Sequence, residues 1–192
     1  MSRLRRPFLY ERFIFVTVKL LPGRVRLEEG DFERLASSFT RMRKKQGFLL
    51  TAWVFLPDHW HALIHPPYPL TISTALKSVK TSAMIGINVR RKEAGEEPQT
   101  LAGRSALLWQ ERFFDRALRT VREYHEKVEY IHLNPVRRGW VKNAEDWKWS
   151  SMREFAGVSG EEQERVCGLR IDRVPLPFDV HTRIGSQESR GP

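Results

Sequence analysis

The sequence predicts an α+β fold in which helices cover a small antiparallel sheet. Three observations support this prediction. Short runs rich in valine, isoleucine, phenylalanine and threonine recur along the chain, and amphipathic stretches of helical length separate them. In addition, 41% of the 192 residues are hydrophobic, which is enough for one domain with a substantial core.

The first half of the chain is predicted to form a strand, a helix and two further strands. Residues 12–21 are rich in β-branched and aromatic side chains, which favour a strand. Residues 28–47 begin with acids and end with bases, so their charges complement a helix dipole, and Gly47 suits the position just past the C-terminus. Two apolar segments, 48–57 and 58–66, then predict a pair of strands joined by a tight turn.

The second half adds two helices and a mixed segment. Residues 69–95 carry an apolar stripe at helical spacing, which predicts a long helix. The aromatic and basic residues 106–119 indicate a short strand or an irregular segment. Residues 120–134 predict a further helix, and we expect Pro135 to end it, because proline disfavours the helical conformation in the residue before it.

The order of these elements favours a ferredoxin-like sandwich, an antiparallel sheet with its helices on one face. We expect the folded domain to span residues 1–157, since the apolar periodicity is lost near residue 158 and the remainder is polar. Residues 158–192 are predicted to be an extended or disordered tail.

The charge of the chain points to a polyanionic partner. Lys and Arg number 33 against 23 Asp and Glu, which gives a net charge of +10. The basic residues are spread along the sequence, as expected for a basic face on a folded protein, and nucleic acid is the usual partner of such a face. No apolar run is long enough to span a membrane. The single cysteine, Cys167, excludes an internal disulfide, so we expect a cytoplasmic protein.

Two histidines, His59 and His61, lie one residue apart in an apolar run. Residues two apart in a strand point to the same face, so both imidazoles could bind one ion while Trp60 faces the core. His65 would lie about 13 Å further along the strand, too far to bind the same ion. A His-x-His pair alone is also compatible with two hydrogen-bonded structural histidines, so a second element is needed to decide between the two interpretations.

That second element is the sequence EYIHLNP at 129–135. Tyr130 and Asn134 are four residues apart and therefore project from the same face of the predicted helix. The amide oxygen could complete a mixed nitrogen–oxygen site for Mg²⁺ or Mn²⁺, beside which the phenol could act as a nucleophile. Without the histidines, ordinary packing of Tyr130 and helix capping by Asn134 would be the simpler interpretation. Tyr124 lies about 240° around the helix from Tyr130 and has no amide partner at the same spacing.

Three blocks of sequence resemble the IS200-like tyrosine transposases, and among them most closely the REP-associated tyrosine transposases. The blocks are WVFLPDHWHALIHP, LWQERFFDRALR and YHEKVEYIHLNPVRRGWVKNAEDWKWSS, in this order, and the likeness spans residues 8–156. Members of the family place two histidines around a hydrophobic residue, the HUH motif, and one catalytic tyrosine on a helix just before an Asn-Pro pair. The resemblance therefore implies that the HUH motif lies on a central strand and the tyrosine on a helix.

The resemblance also implies a role for each residue of the site. His59 and His61 match the metal-binding pair, Asn134 the third ligand and Tyr130 the catalytic nucleophile. The family cuts and rejoins single-stranded DNA hairpins through a 5′-phosphotyrosine link, with Mg²⁺ or Mn²⁺ as the cofactor. We therefore expect single-stranded or hairpin DNA as the partner, and a protein that is a monomer or a homodimer.

Basic and aromatic residues outside this motif are candidates for DNA contacts. Seven side chains could bind phosphates, although each taken alone is more often a solvated surface charge: Lys77, Lys80, Arg112, Arg116, Arg119, Arg137 and Arg138. Trp109, Phe113 and Phe114 could stack unpaired bases, but core packing is the better interpretation for at least two of the three.

Other classes of protein fit parts of this pattern. A non-catalytic, domesticated protein that binds hairpin DNA or represses transcription would need the basic face but not the tyrosine. A histidine-triad hydrolase would need a third histidine at position 63, where Leu63 stands. A replication initiator or relaxase uses the same chemistry, but such proteins tend to be longer or to carry a helicase or a second tyrosine.

Overall fold

A computed structural model describes residues 12–98, 107–157 and 168–174. The N-terminal residues, most of the predicted tail and Cys167 lie outside the described residues. Within the described part, strands and helices follow one another in the predicted order, and the fold is α+β with an antiparallel sheet, as predicted.

Within the described residues, four antiparallel strands form one sheet. They are β1 (Ile14–Lys19), β2 (Leu49–Phe55), β3 (His59–His65) and β4 (Phe114–Ala117). Their order across the sheet is β2-β3-β1-β4, so the strand that carries the histidine pair is central, as expected. The mixed segment at 106–119 supplies β4, a four-residue strand that pairs with β1.

In the part of the chain that the structure describes, three long helices accompany the sheet: α1 (Glu29–Gln46), α2 (Ile72–Glu93) and α3 (Val121–Arg137). A 3₁₀ turn at Ala144–Asp146 and the short α4 (Met152–Phe155) follow. Gly47 has a φ of 74° and donates its N–H to a carbonyl of the last turn of α1, which is the left-handed C-cap that the sequence predicts. None of the described helices has both the length and the apolar composition needed to cross a membrane.

The helices cover both faces of the sheet, because the central strands are apolar on both sides. Val16 and Val18 face α1 and α2, whereas Phe13 and Phe15 pack with α3. The expectation that the helices share one face holds for α1 and α2 and is wrong for α3, which covers the opposite face. A strand with two apolar faces needs a cover on each to remove both from water.

A buried ion pair joins the start of α1 to the end of α2. Asp31 is fully buried and accepts hydrogen bonds from Arg90 at 2.7 Å and from Arg91 at 2.5 Å. Glu96 accepts a further hydrogen bond from Arg90 at 2.7 Å. Separating a buried carboxylate from its ion-pair partners is strongly unfavourable, so this network holds the start of α1 against the end of α2.

α3 continues past Pro135 and ends at Arg137, so the prediction that this proline stops the helix is wrong. Proline lacks an N–H and removes one backbone hydrogen bond, but here it lies in the last turn, where little of the helix depends on that bond. The N–H of Arg138 still donates to the carbonyl of Asn134 at 3.1 Å and closes the turn. Asn134 is therefore held inside the helix with its side chain buried.

Residues 168–174 run along the outer edge of β2. The N–H of Asp172 donates to the carbonyl of Leu50, and the N–H of Leu50 donates to the carboxylate of Asp172, each at 2.8 Å. Leu169 is buried in the core on the side of α1. This part of the predicted tail is thus packed against the domain, while the boundary at residue 157 stays a prediction.

Candidate active site

β3 presents His59 and His61 on the sheet face that α3 covers. Strand pairing sets Thr17 opposite His61, and the two imidazole ring centres are 4.8 Å apart. Both histidine side chains are 3% exposed. Trp60, between them, points to the other face and packs against Phe39, as the alternation of a strand requires.

Each histidine is oriented through its Nδ1 atom. Nδ1 of His59 donates to Oδ1 of Asp58 at 2.6 Å, and Nδ1 of His61 lies 2.8 Å from the hydroxyl oxygen of Thr17. With the proton on Nδ1, Nε2 carries the lone pair through which a histidine usually binds a metal ion. Asp58 and Thr17 therefore hold the two rings in orientations suited to metal binding.

Both imidazoles are held in the neutral form. Burial lowers the pKa of His59, even though the carboxylate of Asp58 opposes the shift. Burial and the neighbouring His59 lower the pKa of His61 to about 3. Since a metal ion binds the neutral ring, the pair can accept a cation at neutral pH without first losing a proton.

α3 brings Tyr130 and Asn134 to the same place. The half-buried ring of Tyr130 lies 5.3 Å from the ring of His61, at an interplanar angle of 72°. Nδ2 of Asn134 lies 3.1 Å from Nε2 of His61. The other carboxamide atom, Oδ1, is buried and has no hydrogen-bond partner among the described residues. An unpaired buried oxygen is unfavourable. A half-turn of the carboxamide, which exchanges Nδ2 and Oδ1, would bring this oxygen to a cation bound beside the imidazoles.

These donors fit a divalent cation. Two imidazole nitrogens and one amide oxygen form a mixed set that leaves coordination positions for phosphate oxygens, which Mg²⁺ and Mn²⁺ bind readily. Within the described ranges, no group of three His, Cys, Asp or Glu side chains is placed to hold a metal ion. Asn134 is the third ligand that the sequence predicts, and that role stays a prediction.

An aromatic ring and two cations surround Tyr130. Phe15 stacks on His61 at 5.4 Å and meets the Tyr130 ring edge-on at 5.7 Å. The ammonium of Lys127 lies 5.0 Å from the centre of the Phe15 ring and 5.2 Å from that of Tyr130. The guanidinium of Arg137 lies 5.4 Å from the Tyr130 ring. Neither Phe15 nor Lys127 is among the residues predicted from the sequence, although helical spacing places Lys127 three residues before Tyr130 on the same face.

Two other residues lie away from the site, as the sequence predicts. Tyr124 packs in the core against Phe13 at 5.2 Å, and burial raises the pKa of its phenol. His65 lies at the far end of β3, where its ring also contacts Phe13 at 5.1 Å. Their positions leave Tyr130 as the tyrosine of α3 that faces the histidine pair.

Three of the predicted phosphate contacts lie on the same side of the sheet as the histidines. Arg116 pairs with Phe15 across two strands and so shares its face, where it also forms an ion pair with Glu123 at 2.8 Å. The guanidinium of Arg137 lies over the ring of Tyr130. Arg138, at the C-cap of α3, adds its charge to the burial that lowers the pKa values of the two histidines.

The other four predicted phosphate contacts lie farther from the histidine pair. Lys77 and Lys80 belong to α2, so the sheet lies between them and the histidines. Lys80 is half-buried and donates to two backbone carbonyls just before β4, at 2.7 and 3.1 Å. Arg112 and Arg119 are exposed on either side of β4. A role in DNA binding for these four residues stays a prediction.

The fold and the site together define a class of protein. An antiparallel α+β sheet with a His-x-His pair on a central strand, faced by a tyrosine from a helix, is the arrangement of the single-tyrosine HUH transposases. A family model described as "Transposase IS200 like" matches residues 16–134, more than half of the chain. The chain belongs to the IS200-like transposase family.

Known proteins similar to this chain include REP-associated tyrosine transposases. The one from Escherichia coli (strain K12) is 28% identical over 152 residues, which cover 79% of this chain and 82% of the relative. A putative one from Haemophilus influenzae (strain ATCC 51907 / DSM 11121 / KW20 / Rd) is 26% identical over 153 residues, 79% of this chain and 85% of the relative. A solved REP-associated tyrosine transposase bound to a REP hairpin matches with a TM-score of 0.64 and 26% identity, covering 93% of this chain and 96% of that one.

Proposed function

We propose that the protein cuts and rejoins single-stranded DNA at hairpins by tyrosine transesterification. Tyr130 is the nucleophile, and His59, His61 and Asn134 bind a metal ion. One observation carries the proposal: α3 places a phenol ring 5.3 Å from the His61 ring, beside an amide oxygen without a partner among the described residues. The family and the solved relative bound to a REP hairpin support it, because transposases cut DNA.

The reaction exchanges one phosphate ester for another. The phenolic oxygen of Tyr130 forms a bond to the scissile phosphorus, and the bond from that phosphorus to the 3′ oxygen of the preceding nucleotide breaks. The phenol loses its proton to water and the departing 3′ oxygen gains one, which leaves a 5′-phosphotyrosine and a free 3′-hydroxyl. Attack by a different 3′-hydroxyl reverses these steps and joins two strands, and the phosphotyrosine ester retains the bond energy that this needs.

The residues around the phenol prepare this exchange. The neutral, oriented His59 and His61 and the amide oxygen of Asn134 offer three donors to Mg²⁺ or Mn²⁺. When bound, the ion supplies positive charge that holds a phosphate oxygen and stabilises the charge gathering on it. Lys127 and Arg137 add two cations at the Tyr130 ring, so a DNA phosphate that approaches the phenol meets a positive surface.

The test is a cleavage assay with the full chain. The substrate is a pool of hairpin oligonucleotides with randomised single-stranded flanks, labelled with different dyes at the 5′ and 3′ ends. With Mn²⁺ or Mg²⁺ we expect a covalent adduct between the protein and the fragment that carries the 3′ label, together with a free fragment that carries the 5′ label. A chelator should abolish the adduct.

Two tyrosine variants sharpen the assay. Tyr130→Phe should bind the hairpins but form no adduct, whereas Tyr124→Phe, on the core side of the same helix, should retain the adduct. An adduct that survives in Tyr130→Phe would remove Tyr130 from its role. A wild-type protein that binds hairpins tightly and never cuts them would instead favour the non-catalytic binding protein.

A further inference from the structure

An exposed aromatic side chain lies on the same sheet face as the histidine pair. Phe114, on β4, is 58% exposed. Strand pairing sets His61 opposite Thr17, and Thr17 opposite Phe114. Directly paired residues share a face, so these three side chains form one row across the sheet. Two strand spacings place Phe114 about 10 Å from His61.

Aromatic contacts connect Phe114 to the candidate active site. Its ring meets the ring of Phe15 at 6.2 Å in a T-shaped arrangement. Phe15 in turn stacks on His61 at 5.4 Å and contacts Tyr130 at 5.7 Å. A chain that bound at the phenol and continued along this face would therefore pass over Phe114.

The other two aromatic residues near β4 serve the core. Trp109 is 2% exposed and bridges to Leu20, and Phe113 packs against the core cluster on the side of α1 and α2. Phe114 alone of the three projects from the histidine side, at a position where an edge strand normally carries a polar residue. Core packing accounts for Trp109 and Phe113 and does not account for Phe114.

The charges around Phe114 indicate which kind of ligand this face would bind. Arg116, two residues along β4, is exposed, points to the same face and forms an ion pair with Glu123 at 2.8 Å. Lys127 lies 5.0 Å from the Phe15 ring that Phe114 contacts. An open aromatic ring flanked by cations suits an unpaired nucleotide, whose base stacks while its phosphates are neutralised. A docking protein would be expected to meet a larger apolar patch than one ring among cations.

We propose that Phe114 is a stacking platform for an unpaired base that flanks the scissile phosphate. The inference rests on the proposed function, since it takes the DNA strand to run from Tyr130 across Phe15. Stacking there would hold the single-stranded flank in line with the phenol and would tolerate any base, because every base has a π face.

The test measures hairpin binding by variants that remove or keep the ring. Phe114→Val removes the ring and keeps a residue that favours strands, Phe114→Trp keeps an aromatic surface, and Phe155→Val removes an exposed phenylalanine of α4. The probes are hairpins with a single-stranded flank, each with one flank base replaced by an abasic site or by fluorescent 2-aminopurine. Circular dichroism checks that each variant is folded.

Phe114→Val should bind the intact flanked hairpin about 5- to 100-fold more weakly than the wild type, whereas Phe114→Trp and Phe155→Val should bind it nearly as well. The wild type should lose the same amount of affinity when one particular flank base is made abasic. On that abasic hairpin, Phe114→Val should bind as well as the wild type. The fluorescence of 2-aminopurine at that position should be quenched by the wild type and not by Phe114→Val.

The outcomes separate this inference from the proposed function. If the wild type cuts hairpins and Phe114→Val binds every probe as the wild type does, the stacking platform is refuted and the cleavage activity stands. If no protein forms an adduct but the binding losses appear as described, cleavage is refuted, and what stands is the stacking of an unpaired flank base on Phe114. Equal losses for Phe114→Val and Phe155→Val would also refute the platform, because the effect would then not depend on position.

Discussion

The side-chain amide nitrogen of Asn134 lies 3.1 Å from Nε2 of His61, although 73 residues separate the two in sequence. Asn134 belongs to the last turn of α3, and His61 belongs to the central strand β3. The contact therefore fixes the end of the helix over the sheet at the point where the two imidazoles meet. Tyr130, one turn earlier, is carried to the same place.

We expect Asn134→Ala to weaken Mn²⁺ binding by about 10- to 100-fold, a loss typical of a damaged metal site. The variant removes the amide oxygen that lacks a partner among the described residues and leaves two imidazole donors. Electron paramagnetic resonance of free and bound Mn²⁺ measures the affinity without any DNA. Asn134→Asp keeps an oxygen donor and adds a charge, so it should bind Mn²⁺ at least as tightly as the wild type. If Asn134→Ala binds Mn²⁺ normally while His61→Ala does not, the third ligand is not Asn134.

Lys127→Met should slow adduct formation about tenfold or more, whereas Lys127→Arg should keep most of the rate. Methionine preserves the apolar stem that covers Phe15 but removes the cation next to Tyr130. Single-turnover cleavage at saturating protein isolates the chemical step from binding. Lys44→Met, at the exposed end of α1, removes the same charge far from the phenol and serves as the matched control. Equal rates for Lys127→Met and Lys44→Met would show that Lys127 contributes only to the overall charge.

The elements of the fold could be predicted where a few neighbouring residues determine them. The charges of α1 and its C-cap at Gly47 identify that helix from sequence alone. The side of the sheet that α3 covers could not be predicted in this way. Both faces of β1 are apolar, so alternation gives two faces to cover without saying which helix covers which. Pro135 misled the prediction because its effect depends on how much helix follows it.

In the candidate site, too, only the features that local spacing determines could be predicted. Spacings of two in a strand and four in a helix predict that His59 shares a face with His61, and Tyr130 with Asn134. In the structure the two imidazoles are neighbours, and Tyr130 and Asn134 both lie beside His61. The position of Thr17 beside His61 depends on the register between β1 and β3, which no local pattern specifies. Their roles in metal binding and catalysis stay predictions until they are measured.

Asp31→Ala should lower the free energy of unfolding by about 3 kcal/mol, because it leaves the buried guanidinium of Arg91 with only the more distant carboxylate of Glu96, at 3.7 Å. Urea denaturation followed by tryptophan fluorescence measures the change. Glu93→Ala is the matched control, since Glu93 is exposed and lies 4.0 Å from Arg34, and it should cost about 0–1 kcal/mol. Similar losses in the two variants would mean that the buried network contributes no more than a surface ion pair.

Stability should fall as the pH drops below about 6.5, and His132 should account for part of the loss. This side chain is buried, and Nε2 lies 2.9 Å from the hydroxyl oxygen of Ser151. Burial lowers the pKa of His132 from 6.5 to about 4. Between these values the unfolded chain binds the proton more readily than the folded one, so acid favours unfolding.

Urea denaturation at pH 7 and pH 5, with chelator present, measures this effect. The free energy of unfolding should fall between the two pH values by about 2 kcal/mol less in His132→Gln than in the wild type, because glutamine can still bond to Ser151 but does not titrate. His61, whose pKa is also lowered by burial, contributes equally to both proteins, so an identical pH dependence in the two would show that His132 does not resist protonation in the folded state.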